Sequence, residues 1–391
     1  MKIAVYYPWI HLHGGIERTM LELFERSKHD WTIYTSHYAP QDVYPGFGHL
    51  KVVQVKPVTI KRDIASVMKA AIQISFEKIP LEGFDAFVVW CDGLGNLITF
   101  GNRGLPTFNI CSTPLRPVYD PIYAANALRS RKFPARVIFV LFRKLFHWVD
   151  RLAWRNYDGV ISTSSEVTRR ITENGLYATG ERLKIFYPGI DASRRPDPVS
   201  YEPFLLAAGR IMWTKNIELA IEAFLLARMP APWKLVIAGF LDLKSRAYLE
   251  ALKQRAGGDG RIEFVLSPSD EALNDLYRRA SVVLFPPLNE DWGIVPLEAM
   301  LARKPVIANA RGGPAESILP GRTGWLLEPE VKAWADVLAS LPSQPETIRR
   351  MGEEAGEHVL KYDWSNFVSG IDETLGSWVT EAREKQTAAS R

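Results

Sequence analysis

Short apolar runs alternate with amphipathic segments along most of the chain. Such runs are typical of buried strands, and their alternation with helical periodicity is typical of parallel α/β sheets. Two series of runs follow one another. The first predicts strands at 2–7, 31–36, 50–55, 84–90, 107–111, 159–163 and 184–187, and the second at 204–208, 234–238, 261–266, 281–285, 305–309 and 323–327. The chain is therefore predicted to be an α/β protein with two sheets in succession.

A polar stretch separates the two series. Residues 189–200 are rich in proline, serine and charged side chains, which is typical of an exposed connection between domains. We predict a first domain at 1–189, a linker at 190–203 and a second domain at 204–362. An amphipathic pattern at 363–391 predicts a helix that packs back toward the first domain, with a frayed end from Arg383.

Composition narrows the class of protein without selecting a function. The 391 residues are 47% hydrophobic and 24% charged, as in an ordinary globular protein long enough for two domains. The net charge of +4 is mild, and no basic aromatic module of a nucleic-acid binder is recognisable, so no nucleic-acid partner is predicted. Only Cys91 and Cys111 occur, which excludes a disulfide framework or zinc spacing and suits a reducing cytoplasm.

The start of the chain and its longest apolar runs bear on targeting. The run at 1–8 is too short for a signal peptide and predicts a first strand. No run reaches the length of a transmembrane helix. A cytoplasmic location is therefore expected.

The most informative local pattern follows the strand predicted at 281–285. Pro296 suits the first position of a helix over 296–303, which would place Glu298 in its first turn, with Glu290 on the preceding loop. Free N–H groups at a helix start favour anions, and carboxylates accept hydrogen bonds from sugar hydroxyls, so the turn suits a nucleotide sugar. Taken alone, either glutamate is better explained as a solvated charge or as a complement to the helix dipole.

The whole block from Asn289 to Met300 resembles the E-x7-E signature of the family 4 retaining glycosyltransferases, in the form of their mannosyltransferase-like branch. Segments 304–308, 312–316 and 321–326 resemble the family's next segments in order and spacing. The resemblance implies the GT-B fold, in which two doubly wound, Rossmann-like domains face each other across a cleft. It also implies transfer of a hexose from a GDP- or UDP-linked donor with retention of configuration, and with no metal or other cofactor. Our first expectation is mannose from GDP-mannose, transferred to a saccharide or lipid-linked saccharide.

The same resemblance assigns roles to individual residues. In 209–216, Arg210 and Lys215 resemble the family's diphosphate site, where fixed positive charge stabilises the leaving diphosphate. Although a glycine pair after a strand is more often a plain turn, Gly14 and Gly15 resemble a stretch that abuts the donor diphosphate. Glu298 would hold the ribose. The donor sugar would be held by Glu290 with Asp291 and the backbone of Trp292, Gly293 and Ile294, and Arg210, Lys215 and Glu290 are the predicted catalytic residues.

The predicted acceptor side departs from the family. The stretch 111–120 resembles a family segment, but Ser112 stands where those enzymes usually carry histidine. Ser112 either hydrogen-bonds the donor sugar or is a turn residue. Arg116 is a candidate for facing the acceptor, and His13, in the loop before Gly14, is a candidate replacement for the histidine, although loop histidines are more often surface residues.

Segment 129–155 bears on the acceptor class. It carries eight Lys and Arg residues against Asp150, interleaved with aromatic and aliphatic residues. A basic, aromatic-rich helix is typical of an anionic membrane surface, and an ordinary packed helix with solvated charges explains the pattern equally well. The first interpretation predicts peripheral attachment to the inner face of the membrane and agrees with a lipid-linked acceptor.

Two other functions fit parts of the pattern. Two glutamates beside a sugar suggest a glycosidase, but the nucleotide-type segments around them argue against it. A non-catalytic GT-B subunit that binds a nucleotide sugar or a partner enzyme is the second hypothesis. Ser112 favours it, whereas Arg210, Lys215, Glu290 and Glu298 favour catalysis.

Overall fold

A computed structural model describes residues 1–59, 63–91, 93–197 and 199–389. By its internal contacts the chain divides into two compact units. The first unit is formed by Met1–Pro188 with Trp364–Arg391, and the second by Gly189–Asp363. The segment 190–203, expected to be a linker, falls within the second unit, and its Pro198 lies outside the described residues.

A parallel sheet forms the centre of the first unit, with strand order β5-β3-β1-β6-β7-β8-β9. A short parallel pair, β2 and β4, lies beside it. The strands are β1 (Lys2–Tyr6), β2 (Trp9–Ile10), β3 (Asp30–Thr35), β4 (His37–Tyr38), β5 (Lys51–Gln54), β6 (Ala86–Cys91), β7 (Thr107–Cys111), β8 (Gly159–Ser162) and β9 (Leu183–Ile185). Because helices cover the sheet, the central strands are buried along their length and read as continuous apolar runs.

Helices connect these strands. They are α1 (Gly15–Arg26), α2 (Ile64–Phe76), α3 (Arg116–Tyr119), α4 (Pro121–Arg129), α5 (Ala135–Trp154) and α6 (Ser165–Glu173), with 3-10 segments at Pro40–Asp42, Pro45–His49 and Leu94–Phe100. Among the described residues, no helix is long and apolar enough to span a bilayer.

The second unit repeats the arrangement, with strand order β12-β11-β10-β13-β14-β15. Its strands are β10 (Phe204–Ala208), β11 (Lys234–Gly239), β12 (Ile262–Leu266), β13 (Val282–Phe285), β14 (Val306–Asn309) and β15 (Gly324–Leu327). Its helices are α7 (Ile217–Ala227), α8 (Arg246–Ala256), α9 (Asp270–Arg279), α10 (Ile294–Leu301), α11 (Pro314–Ser317), α12 (Val331–Ser340) and α13 (Pro345–His358). Its 3-10 segments are Ala192–Arg194, Trp213–Lys215, Leu243–Ser245, Leu341–Ser343 and Val359–Tyr362.

The last helix, α14 (Trp364–Ala389), belongs to the first unit, where it packs on α1. The carboxylate of Asp372 accepts hydrogen bonds from the Ser27 hydroxyl at 2.6 Å and the Lys28 amide at 2.8 Å, which ties α14 to the end of α1. The helix continues to Ala389, and the frayed end expected from Arg383 stays a prediction.

Every strand predicted from the apolar runs is present, so the prediction of an α/β chain is confirmed. The pair β2 and β4 was not predicted, because two-residue strands leave no periodicity in the sequence. The predicted start of the helix after Glu290 is wrong. Helix α10 begins at Ile294, not Pro296, since Gly293 adopts a φ of 90° that allows the chain to turn early. Glu298 therefore lies beyond the first turn.

Candidate functional site

The strand order of the second sheet reverses between β10 and β13. From β10 the chain builds outward through β11 and β12, and from β13 through β14 and β15. Ligands of parallel α/β sheets bind beyond the carboxyl ends of the strands at such a switch point. Arg210 follows β10 and the acidic loop 289–293 follows β13. The two predicted donor segments therefore lie at the same edge of the sheet.

Lys215 and Glu290 form an ion pair at this edge. The Lys215 Nζ atom lies 2.6 Å from Glu290 Oε2, and the side chains are only 19% and 21% exposed. The Nζ atom also lies 5.6 Å from the centroid of the Phe285 ring. An ammonium group has three donors, so Lys215 can hold Glu290 and an anion together. From the sequence, Lys215 was assigned to the donor diphosphate and Glu290 to the donor sugar. In the structure the two side chains contact each other.

Arg210 supplies a second positive charge on the loop after β10. Its side chain is exposed and, in the described part of the chain, makes no hydrogen bond or ion pair. A guanidinium carries five N–H donors in a planar fork that matches phosphate oxygens. This segment therefore offers a guanidinium ready for an anion beside a lysine already oriented by a carboxylate.

Asn216 ties the loop after β10 to the loop after β13. It adopts a left-handed φ of 49°, and its Nδ2 atom donates to the Pro286 carbonyl at 3.1 Å. The next amide, at Ile217, donates to the Tyr248 hydroxyl at 3.0 Å. The start of α7 thus has one of its amides already satisfied.

Two glycines clamp the acidic loop from the other side. The Gly313 amide donates to the Glu290 carbonyl at 2.9 Å. A Cβ atom on Gly312 would lie 2.4 Å from the Glu290 carbonyl oxygen, and one on Gly313 would lie 2.3 Å from the Trp292 Cα atom. Only glycine allows this approach. The backbone around Glu290 is therefore closely packed against Gly312 and Gly313.

Trp292 anchors the loop through its side chain. The indole is 5% exposed and packs edge-to-face on Tyr362, with ring centroids 5.2 Å apart. The Tyr362 hydroxyl donates to the Glu316 carbonyl at 3.1 Å. The indole is thus part of the packing. The role predicted for Trp292 in holding the donor sugar is a role of its backbone, and it stays a prediction.

Glu298 is oriented by a buried tyrosine. The Tyr277 hydroxyl donates to Glu298 Oε2 at 3.0 Å. Burial and the neighbouring carboxylate raise the pKa of Tyr277 well above its usual value of 10, so the phenol stays a donor at neutral pH. Sequence reasoning missed Tyr277. A tyrosine on a helix such as α9 gives no sign in the sequence of the residue to which it will donate a hydrogen bond.

Gly293 sets the turn into α10, and its replacement makes a testable prediction. A Cβ atom there would lie 3.0 Å from the Phe285 ring, and its φ of 90° disfavours any other residue. We expect Gly293→Ala to destabilise the fold by about 1–3 kcal/mol and to impair activity through the displaced loop. Gly321→Ala is the matched control, since Gly321 has a φ of 76° with open space around it. Thermal melting and turnover of both variants are compared, and full activity of Gly293→Ala would contradict the importance assigned to this turn.

In the first unit, the glycine pair lies beyond the carboxyl end of β1, where that sheet reverses order between β1 and β6. Gly14 precedes α1 and Gly15 opens it. A Cβ atom on Gly14 would meet the Glu17 carboxylate at 2.4 Å, whereas one on Gly15 would meet nothing within 4 Å. Gly14 thus leaves room for the Glu17 carboxylate, and Gly15 leaves open space beside the helix start.

Ser112 follows β7 and is held by Trp90. The fully buried indole donates its N–H to Ser112 Oγ at 2.8 Å. Because an indole N–H can only donate, the serine oxygen accepts and its own proton is directed elsewhere. Ser112 therefore accepts one hydrogen bond from the core and keeps its hydroxyl proton for a second partner.

Arg116 and His13 have different surroundings. Arg116 donates to Asp120 Oδ2 from Nε at 3.2 Å and from Nη2 at 2.8 Å, and it lies 4.0 Å from the centroid of the Tyr123 ring. Much of its bonding capacity is thus used inside the first unit. His13 is exposed, 4.9 Å from the Tyr44 ring. The acceptor-side roles of Ser112, Arg116 and His13 stay predictions.

Comparison with known proteins agrees with this geometry. Residues 191–358 match the family described as glycosyl transferases group 1. The chain is 25% identical to the alpha-1,3/1,6-mannosyltransferase ALG2 of Rhizomucor pusillus, over 92% of this chain and 88% of that protein. It is 26% identical to alg2 of Schizosaccharomyces pombe, over 58% of this chain and 51% of the relative.

Solved structures resemble the fold over nearly the full length. Anabaena Alr3699/HepE in complex with UDP and glucose matches with a TM-score of 0.71 and 19% identity, covering 96% of this chain and 100% of that one. Sucrose-phosphate synthase from Thermosynechococcus elongatus matches with a TM-score of 0.73 and 19% identity, covering 97% and 100%. The family match over residues 191–358, the mannosyltransferase relatives and the two Rossmann-like sheets agree: the chain is a glycosyltransferase with the GT-B fold.

Proposed function

We propose that the protein transfers a hexose, with mannose from GDP-mannose as the first candidate, from a nucleotide sugar to a saccharide or lipid-linked saccharide. The observation that carries the proposal is the Lys215–Glu290 ion pair, with the exposed Arg210 on the neighbouring loop, at the switch point of the second sheet. The names of the ALG2 relatives support a mannosyl donor. The UDP and glucose bound by Anabaena HepE support a nucleotide sugar.

The chemistry follows from where charge develops. Cleavage of the bond between the anomeric carbon and the phosphate gives the sugar oxocarbenium character and adds negative charge to the diphosphate. Lys215 and Arg210 would stabilise that negative charge without a metal ion. Glu290, held by Lys215, would accept hydrogen bonds from the donor sugar, and Glu298, held by Tyr277, from the ribose. Retention of configuration would follow from same-face attack, with the leaving phosphate as the base.

Nucleotide binding tests the donor class and the lack of a metal requirement. We expect GDP or UDP to bind the wild type in calorimetric titrations, with the same affinity in the presence of EDTA. Lys332→Ala serves as a control and should bind the nucleotide like the wild type, because it removes a lysine that is 79% exposed elsewhere in the second unit. Binding that appears only after a divalent metal is added would contradict a metal-independent site.

We also propose that segment 129–155 contacts an anionic membrane surface, which would bring a cytoplasmic enzyme to a lipid-linked acceptor. Helix α5 exposes large apolar side chains: Val137 (46%), Ile138 (49%), Leu141 (61%), Leu145 (55%) and Trp148 (62%), and Phe133 before it is 82% exposed. Asp150, the acidic residue of the segment, is buried. Exposed apolar side chains interleaved with basic ones are typical of a helix that lies in a membrane interface.

Charge reversal tests this contact. Lys132, Lys144 and Arg151 are exposed, whereas Arg143 donates to the Val118 carbonyl at 2.8 Å and is left unchanged. Each basic residue near an anionic surface contributes on the order of 1 kcal/mol, which salt screens. We expect cosedimentation with vesicles to rise with anionic lipid, to fall with salt and to drop in the triple glutamate variant. Equal cosedimentation with neutral and anionic vesicles would support a packed helix with solvated charges.

A further inference from the structure

Helix α2 carries an apolar stripe that the first unit leaves uncovered. Met68 is 45% exposed, Ile72 is 60% and Phe76 is 79%. Their spacing of four residues places them along one side of the helix. Ala70 and Ile74, on the other side, are buried in the core of the unit. The helix therefore has one apolar side packed against the sheet and a second one facing outward.

The topology puts this stripe on the same face of the sheet as α5. The chain moves in one direction across the sheet from β5 to β6, from β6 to β7 and from β7 to β8, and in the opposite direction from β1 to β3. Crossovers between parallel strands are right-handed, so α2, Leu94–Phe100 and α5 cover one face while α1 covers the other. Both α2 and α5 contact the Leu94–Phe100 segment between them. Their outward sides therefore face the same direction.

Charge on this face indicates what it contacts. Helix α2 carries the exposed Lys69 and, between Ile64 and Phe76, no acidic residue. Asp63 and Glu77 stand at its two ends as cap residues. The acidic side chain within 129–155, Asp150, is 1% exposed. Apolar side chains spread over two neighbouring helices, bordered by basic groups, match a lipid interface with anionic headgroups. A protein partner with a patterned surface would not require exposed acidic residues to be missing from both helices.

We propose that α2 and α5 form one membrane-docking surface, in which Met68, Ile72 and Phe76 insert beside α5 into the interface of an anionic bilayer. This inference rests on the membrane contact proposed for 129–155 and adds a second helix to it. Binding then has two parts. The basic residues supply a salt-sensitive attraction, and the α2 stripe supplies an apolar component that persists when salt screens the charges.

The double variant Ile72→Asp with Phe76→Asp tests the α2 component. Both side chains are exposed, so the fold should persist, which circular dichroism and thermal melting would verify. Leu226→Asp is the matched control, because Leu226 lies on α7 of the second unit and is 55% exposed. With anionic vesicles at about 1 M salt, where the screening length is about 3 Å, we expect wild type and Leu226→Asp to retain binding. The α2 variant should lose at least tenfold in partitioning.

The outcomes separate this inference from the proposal on which it rests. If the α2 variant partitions like Leu226→Asp while the charge reversals on 129–155 still weaken binding, α2 is not part of the surface and the α5 contact stands. If wild type binds no vesicles, both membrane proposals are wrong, whereas glycosyl transfer remains measurable with a water-soluble acceptor. If Phe76→Asp instead turns a dimer into a monomer in sedimentation velocity, without any effect on vesicles, the stripe is an interface between copies and the inference is overturned.

Discussion

Replacing Arg210 or Lys215 with alanine is expected to lower kcat/KM by about 100-fold or more while the fold remains intact. Both side chains would face charge that develops on the leaving diphosphate, and loss of one such partner commonly costs this much. Arg210 is exposed, so its removal should leave stability nearly unchanged. Steady-state kinetics with the donor identified by titration, together with thermal melting, measures both effects.

The Lys215 variant needs a control, because it also removes the partner of Glu290. Glu290→Gln and the double variant with Lys215→Ala show how much of the loss is shared between the two residues. If Lys215 acts only by holding Glu290, the double variant will be no slower than Glu290→Gln. An additional loss in the double variant indicates a direct role for Lys215 at the phosphate. Near-normal turnover of both Arg210→Ala and Lys215→Ala would contradict the assignment.

The second large effect separates the two glutamates. Glu290 is assigned to the transferred sugar, so Glu290→Gln should impair turnover and sugar discrimination while the free nucleoside diphosphate binds almost normally. Glu298 is assigned to the ribose, and its loss leaves ribose hydroxyls without an acceptor at a cost of about 1–3 kcal/mol. Glu298→Ala should therefore weaken the nucleoside diphosphate and the intact donor about equally.

Calorimetric titration of both variants with the diphosphate and with the donor measures this difference. Tyr277→Phe is a useful companion, because it removes the hydrogen bond that orients Glu298 and keeps the carboxylate. It should reproduce part of the Glu298→Ala effect and none of the Glu290→Gln effect. If Glu290→Gln weakened binding of the free nucleoside diphosphate and Glu298→Ala did not, the proposed orientation of the donor would be wrong.

The strands were predictable because their signal is local. Runs such as 204–208 and 281–285 are buried on both faces of a parallel sheet, and burial on both faces requires a continuous apolar sequence. The resemblance in 289–300 then indicated the donor loop, and the strand order placed that loop beside Arg210. For these features, a short stretch of sequence contains the determining information.

The contacts within the site were not predictable in the same way. The Lys215–Glu290 pair joins residues 75 positions apart. It depends on β10 and β13 being neighbours, which the apolar runs alone do not specify. The packing of Trp292 on Tyr362 and the bond from Tyr277 to Glu298 likewise bring together separate helices and loops. The start of α10 depends on the backbone angle of Gly293, whereas Pro296 is compatible with several positions in a first turn.

The most direct measurement is the release of nucleoside diphosphate from a panel of GDP- and UDP-linked sugars by the wild-type protein in the presence of EDTA. The proposed function predicts slow hydrolysis of at least one donor without an acceptor, with GDP-mannose as the first candidate, and about 100-fold less release by Lys215→Ala. The proposed function would be contradicted if the folded wild type released nucleoside diphosphate from no donor. It would also be contradicted if Lys215→Ala released it as fast as the wild type.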